Sequence, residues 1–313
     1  MKVLGYSTYG KPSVFTEKNI ETPVINANEV LLRTKYSSIH PVDTIIRNGD
    51  FSGGAPLQQF LIPGSEVLGE IVEVGSAITD FALGDVVIGK PGRGGYAEYV
   101  KVDQSKIFKK PANMPDEAAA GFSAVGTTAY YSLFDFGQIK TGETITILGA
   151  SGGVGSIAIQ IARNEGLYVI AVASEKNKDY VLHLGADEFA DYNDPSQLAG
   201  LANRADVVID ASLFASSAEA GVALVKDGGH YITLTSSPAA PLDKSIHIID
   251  MRRNAEMTDK KAMDYLIDLH EKQPIEVKPT TVYPLSLQGV VDAHTTLEAG
   301  TLSKKILLKN EMN

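Results

Sequence analysis

The chain contains no cysteine among its 313 residues. That excludes disulfides, thiol catalysis and any Cys-ligated zinc. It also lacks runs of Lys and Arg, and its net charge is −10. A nucleic-acid-binding surface needs clustered basic residues, so nucleic acid is excluded as an expected partner, and an anionic membrane surface is disfavoured for the same reason. No stretch approaches the ~20 consecutive apolar residues of a membrane span. The opening residues, Met1-Lys2-Val3-Leu4-Gly5-Tyr6, turn polar too soon for a signal peptide. Internal repeats and low-complexity segments are missing as well. A cytoplasmic protein with no membrane partner is expected.

What is present is an ordinary globular composition, 44% hydrophobic and 21% charged, on a chain too long for one typical domain of ~100–200 residues. The first 120 residues read mostly as β. Strand-like runs at 29–36, 67–74, 86–88 and 96–102 are punctuated by Gly84-Asp85 and Gly94-Gly95, which suggests a compact antiparallel or barrel-like unit. Past residue 115 the rhythm changes. A helix is expected over 115–131, then strands at 144–148, 168–173, 207–210 and 230–234, separated by helices at 154–165, 176–184 and 216–225. Such alternation predicts a doubly wound parallel sheet. A helix at 260–271 and a strand at 305–308 close the chain.

The segment Ile145-Thr146-Ile147-Leu148-Gly149-Ala150-Ser151-Gly152-Gly153-Val154-Gly155 reads as strand, glycine turn and helix, with the pattern A-x-G-x-x-G. Gly152 allows a pyrophosphate to approach the backbone, and Gly155 allows the helix to pack close to the strand. Free amides and the helix dipole at that end favour phosphate charge. The end of the next strand separates the two nicotinamide cofactors. NAD enzymes usually carry Asp or Glu there to bind the ribose hydroxyls. Here the residue is Ser174, followed by Lys176 and Lys178, a set suited to a 2′-phosphate. NADPH is therefore the expected cofactor, although Glu175 could still meet a free ribose.

The chain resembles, from end to end, the quinone oxidoreductase branch of the medium-chain dehydrogenase/reductase superfamily. The resemblance rests on Ser38-Ile39-His40-Pro41-Val42-Asp43-Thr44, Ile62-Pro63-Gly64-Ser65-Glu66-Val67, Gly84-Asp85-Val86-Val87 and Gly94-Gly95-Tyr96-Ala97-Glu98-Tyr99-Val100. It continues through Gly126-Thr127-Thr128-Ala129-Tyr130, the phosphate turn, Leu184-Gly185-Ala186-Asp187 and the ending Leu297-Glu298-Ala299-Gly300…Lys305-Ile306-Leu307-Leu308. It implies an α/β protein with a GroES-like β-rich catalytic domain at 1–122 and 259–313 and a Rossmann domain at 123–258. It implies a homodimer through the edge of the Rossmann sheet, with 246–251 as the candidate edge strand.

The same resemblance implies site residues. Ser151, Gly152, Gly153 and Val154 would contact the pyrophosphate, Thr128 the nicotinamide half, and Tyr192 the adenosine phosphate. His40 stands at a position often held by Asn, facing nicotinamide and substrate, where an imidazole could donate to the acceptor oxygen. Asp43 matches a recurrent Asp of the same turn, with a helix cap as its simpler role. Ile45 replaces an occasional Tyr and removes that candidate proton donor. Zinc members use a Gly-His-Glu motif with Cys ligands, but this chain reads Gly64-Ser65-Glu66, so no metal is expected.

Without a Lewis acid, a simple alcohol is a poor substrate. A quinone or an α,β-unsaturated carbonyl accepts hydride with only hydrogen-bond help, the protein supplying proximity and a dry site. An NADPH-dependent reductase of such small molecules is the expected function. An enoyl-thioester or 2-alkenal reductase and a non-catalytic NADPH-binding structural or sensing protein are the alternatives.

Overall fold

The computed structural model of the chain describes residues 1–212, 218–235, 244–252, 254, 256–300 and 304–311. They form two compact units, Met1–Ser123 with Pro279–Asn313, and Ala124–Lys278.

The second unit is built on six parallel strands in the order Glu188–Asp191, Tyr168–Ala173, Thr144–Leu148, Ala205–Asp210, Val225–Thr233 and His247–Asp250. Numbered by sequence within the unit this is 3-2-1-4-5-6, the doubly wound order that reverses beside the first strand. The strands read as nearly continuous apolar runs because both faces are covered. Ile145, Ile147, Val169, Ile170, Val208 and Ile209 are all fully buried. The Gly153–Asn164 helix buries Ile157, Ala158 and Ile161, the stripe that the sequence predicts.

Several elements differ from the sequence-based expectation. The helix expected over 115–131 is two, Asp116–Ala120 and Ser123–Tyr131, parted at Gly121. The short strand Glu188–Asp191 is absent from the expected strands, since Glu188 and Asp191 leave only Phe189 and Ala190 as apolar residues. The helix expected at 216–225 is described as Ala218–Leu224; its expected start at 216–217 lies outside the described residues. Gly228-Gly229 falls inside strand Val225–Thr233, which begins five residues before the strand expected at 230–234.

Residues 259–278, expected with the first unit, pack with the second. The Asp259–Lys272 helix buries Ala262, Met263, Leu266 and Leu269. Ala262 joins a cluster with Tyr130 and Tyr131, and Leu266 lies so near Gly126 that a Cβ there would approach it to 2.8 Å. Apolar fit places this segment differently from the boundary that the resemblance implies.

The first unit carries a seven-stranded sheet. Its path runs Thr280–Pro284, Lys305–Lys309, Glu29–Ile39, Val67–Val74, Val86–Gly89 and Ile107–Lys109, with Tyr99–Asp103 also paired to Glu29–Ile39. All pairings are antiparallel except Thr280–Pro284 with Lys305–Lys309. A helix, Pro41–Asn48, follows the long strand directly. Pro41 suits its first turn because that amide would be unbonded anyway.

The far end of this helix is anchored by Arg47, a fully buried guanidinium. It donates to the Gly10 carbonyl at 2.9 Å, to His294 Nδ1 at 3.0 Å and to the carboxylate of Glu298. His294 is itself buried, with Nε2 3.1 Å from the Tyr96 hydroxyl. Burial, aided by the Arg47 charge, pushes the His294 pKa from 6.5 down to about 3. The imidazole therefore stays neutral in the fold while the unfolded chain protonates. Its contribution is intact above pH 6.5 and is lost as pH falls toward 3. Denaturant unfolding at pH 7 and pH 5 should show His294→Gln losing less stability on acidification than the parent chain, by about 2 kcal/mol. Equal losses in both proteins would refute this role.

Candidate functional site

The phosphate turn leads from strand Thr144–Leu148 to the Gly153–Asn164 helix, with Gly152 as an N-cap that offers no side chain. The first backbone bond of this helix is Ser156 N to Gly152 O, at 3.0 Å. The amides of Gly153 and Val154 thus have no intrahelical acceptor, as at any helix start, and no side chain caps them. The glycines divide the work. A Cβ on Gly155 would fall 2.5 Å from Gly149 O and 2.7 Å from Ala150 Cα. A Cβ on Gly152 would meet only Gly149 O, at 3.0 Å, so the turn is less crowded at Gly152 than at Gly155. An uncapped helix start with a less crowded glycine fits a diphosphate.

Strand Tyr168–Ala173 ends beside this turn, and Ala150 N donates to Val172 O at 3.1 Å. Ser174 follows the strand, and its Oγ accepts from Asn177 Nδ2 at 2.8 Å. Lys176 is exposed. Lys178 is 3.5 Å from the Glu175 carboxylate and lies over the Phe189 ring, so the Glu175 carboxylate already has a cationic neighbour. Tyr192 follows strand Glu188–Asp191, and its ring is half exposed. Thr128 Oγ donates to the Ala124 carbonyl at 2.8 Å. Its hydroxyl proton is spent on its own helix, and only the oxygen lone pairs remain for a ligand.

A second cluster forms in the first unit around His40, which starts the Pro41–Asn48 helix. Asp43, three residues on, accepts the His40 backbone amide at 2.8 Å. This is the half of a capping box in which the third helical residue reaches back to the N-cap amide. Burial pushes the Asp43 carboxyl above its ordinary range, against the pull of His40 and Lys305. Asp43 thus holds the backbone that carries the imidazole.

The imidazole is bonded on both sides. Nε2 is 2.9 Å from Glu66 Oε2, and Nδ1 is 3.0 Å from Lys305 Nζ. The other Glu66 oxygen accepts from Ser123 Oγ at 2.6 Å. Burial alone would raise the Glu66 pKa. Hydrogen bonds from His40 and Ser123, with the charges of His40 and Lys305, outweigh it and bring it down to about 2. The carboxylate can only accept, so Nε2 carries the proton and Nδ1 is the acceptor for Lys305. Burial pushes the Lys305 ammonium below its ordinary range, opposed by Glu66 and Asp43. The result is an ordered chain, Lys305 to His40 to Glu66, with Ser123 closing the far side.

The sequence singled out His40 and Asp43 but not Glu66, Ser123 or Lys305 as their partners. The signals available were Gly64-Ser65-Glu66 and the closing Lys305-Ile306-Leu307-Leu308. Both ring nitrogens of His40, the residue expected to donate to the acceptor oxygen, are engaged by Glu66 and Lys305. Tyr96, Tyr130 and Tyr131 are buried packing residues.

Residues 26–112 match the family described as alcohol dehydrogenase GroES-like domain, and residues 153–269 the one described as zinc-binding dehydrogenase. A 2-methylene-furan-3-one reductase of Solanum lycopersicum is 32% identical over 98% of this chain and 79% of its own. A chloroplastic NADPH-dependent alkenal/one oxidoreductase of Arabidopsis thaliana has the same identity and coverage. The solved quinone oxidoreductase of Coxiella burnetii superposes with a TM-score of 0.81 at 25% identity, over 99% of both chains. With two family domains in order and identity along nearly its whole length, the chain belongs to the quinone oxidoreductase branch of the medium-chain dehydrogenase/reductase superfamily.

Proposed function

We propose that this protein is an NADPH-dependent reductase of quinones or α,β-unsaturated carbonyls. The observation that carries the reading is a relative 32% identical along 98% of the chain that is named an NADPH-dependent alkenal/one oxidoreductase. The uncapped turn at Gly152-Gly153-Val154, with Ser174 and the exposed Lys176 at the next strand end, supports it. Ser151, Gly152, Gly153 and Val154 would hold the pyrophosphate, Ser174, Lys176, Lys178 and Tyr192 the adenosine phosphate end, and Thr128 the nicotinamide half through its oxygen.

Bound NADPH supplies the hydride. The chain's part is to steady the negative charge that builds on the acceptor oxygen and to return a proton. Lys305 and His40 suit that together. Among the described residues Nζ of Lys305 hydrogen-bonds only His40, which leaves N–H groups for an oxyanion, and the Glu66 and Asp43 charges oppose the loss of the ammonium proton to burial. Asp43 serves as the backbone brace. Catalysis without metal is supported by the residues themselves. Ser65 replaces the histidine of the zinc motif, no cysteine exists, and the Lys305 ammonium occupies His40 Nδ1. A cytoplasmic homodimer joined at the outer strand His247–Asp250 completes the proposal, that strand being an edge of the sheet.

The test is steady-state consumption of NADPH and NADH with 1,4-benzoquinone and with a 2-alkenal. Turnover with NADPH should exceed that with NADH at least tenfold in kcat/KM, about 1.4 kcal/mol. Tight NADPH binding with no consumption against any quinone or enal would leave the non-catalytic alternative standing instead.

A further inference from the structure

Lys278 lies in the segment after the Asp259–Lys272 helix, and its Nζ donates to the backbone carbonyl of Ser151. That segment is fixed on both sides. Glu276 N donates to Gln160 Oε1 at 2.8 Å and Glu276 O accepts from Gln160 Nε2 at 2.9 Å, while its carboxylate meets His183 at 3.0 Å. The ammonium is therefore set at the phosphate turn by a braced backbone and is not a loose surface charge. Among the described residues no carboxylate pairs with it. Burial lowers its pKa to about 8, and the charge of Lys176 pushes the same way. Two cations near one another, one of them partly desolvated, form an arrangement that costs free energy until an anion arrives.

We propose that Lys278 is a further cofactor-binding residue, the cation that meets the pyrophosphate at the Ser151-Gly152 turn. It rests on the reading of this turn as a dinucleotide site. The pyrophosphate is chosen over the 2′-phosphate because the hydrogen bond goes to Ser151, within the turn, whereas Ser174 and Lys176 lie at the end of the neighbouring strand. With the amides of Gly153 and Val154 supplying dipoles, Lys278 supplies the full charge that the turn itself lacks.

The two phosphates separate in a binding experiment that needs no turnover. Dissociation constants for NADPH, NADH and ADP-ribose are measured by titration calorimetry on the parent chain, Lys278→Met, Lys278→Arg and Lys176→Met, with melting temperatures as a folding control. Lys278→Met should weaken all three ligands about tenfold, and Lys278→Arg should recover most of the loss. Lys176→Met should weaken NADPH alone. The salt dependence of NADPH affinity should flatten in Lys278→Met, because a screened ion contact has gone; a purely structural role for Lys278 would leave that slope unchanged. Affinities within twofold of the parent overturn the proposal, as does a loss confined to NADPH. Failure of the parent chain to bind any dinucleotide would instead overturn the reading of the turn.

Discussion

Glu66→Gln should destabilise the first unit by about 3–5 kcal/mol and cost at least tenfold in turnover. The two side chains have the same shape, so packing is not the cause. The Glu66 carboxylate accepts from His40 Nε2 at 2.9 Å and from Ser123 Oγ at 2.6 Å. An amide presents one acceptor and one donor. Ser123 can rotate its hydroxyl to suit either. His40 can only donate at Nε2, because Lys305 already donates to Nδ1 at 3.0 Å. The amide therefore turns its oxygen to His40 and its NH2 to Ser123, both contacts survive, and the loss is one of charge. The buried Lys305 charge would lose the carboxylate that compensates it. A double-mutant cycle isolates this term. Lys305→Met removes the stranded cation, so Glu66→Gln with Lys305→Met should lose less stability than the sum of the single losses, by more than 1 kcal/mol. Strict additivity would mean that the two residues do not act as a unit.

Acid provides an independent reading of the same charge. Glu66 ionises near pH 2 in the fold against 4.5 for the free side chain. The stability it contributes is complete above pH 4.5 and drains away as pH falls toward 2. In Glu66→Gln that acid limb should be missing. The limb attributed to His294, which begins at pH 6.5, should remain. The two losses overlap only between about pH 4.5 and 3, so one titration series reads the His294 limb alone between pH 6.5 and 4.5.

The Rossmann half was legible because its strands are long, apolar and separated by helices with a clear period. Thr144–Leu148 and Tyr168–Ala173 fall where the pattern puts them. What escaped was short or polar. Strand Thr16–Asn19 is fully exposed and only four residues long, and the Leu287–Glu298 helix has a buried stripe of Gly289, Val290, Ala293 and His294 too mixed to stand out. At the site the pattern is similar. A glycine turn is local, so its geometry can be read along the chain. The partners of His40 come from positions 66, 123 and 305, and only the sheet pairing of Lys305–Lys309 with Glu29–Ile39 brings the last of them near. Three residues separate His40 from Asp43, which is why that contact alone was accessible. Thr128 illustrates the reverse case, where a family position was readable but its hydroxyl turned out to be committed to Ala124.

Gly155→Ala and Gly152→Ala should fail in different ways, and the contrast tests whether the turn is a ligand site or only a tight connection. At Gly155 the new methyl would meet the backbone of Gly149 and Ala150 at 2.5–2.9 Å. Backbone at a strand end has no rotamer with which to move aside, so the helix must lift from the sheet. A loss of about 1–3 kcal/mol is expected, with dinucleotide affinity falling in parallel as the helix start is displaced. At Gly152 the methyl would touch only Gly149 O, at 3.0 Å, and the N-cap is extended at φ −74° and ψ 175°, a conformation open to alanine. The Gly149 carbonyl must still give by a few tenths of an ångström, so a loss smaller than at Gly155, below about 1 kcal/mol, is expected. The methyl would stand where the pyrophosphate must approach, and NADPH affinity should fall at least tenfold. Unfolding by denaturant and calorimetric titration of NADPH on both variants decide the matter. A Gly152→Ala protein that binds NADPH like its parent would mean that the phosphate does not sit on this turn.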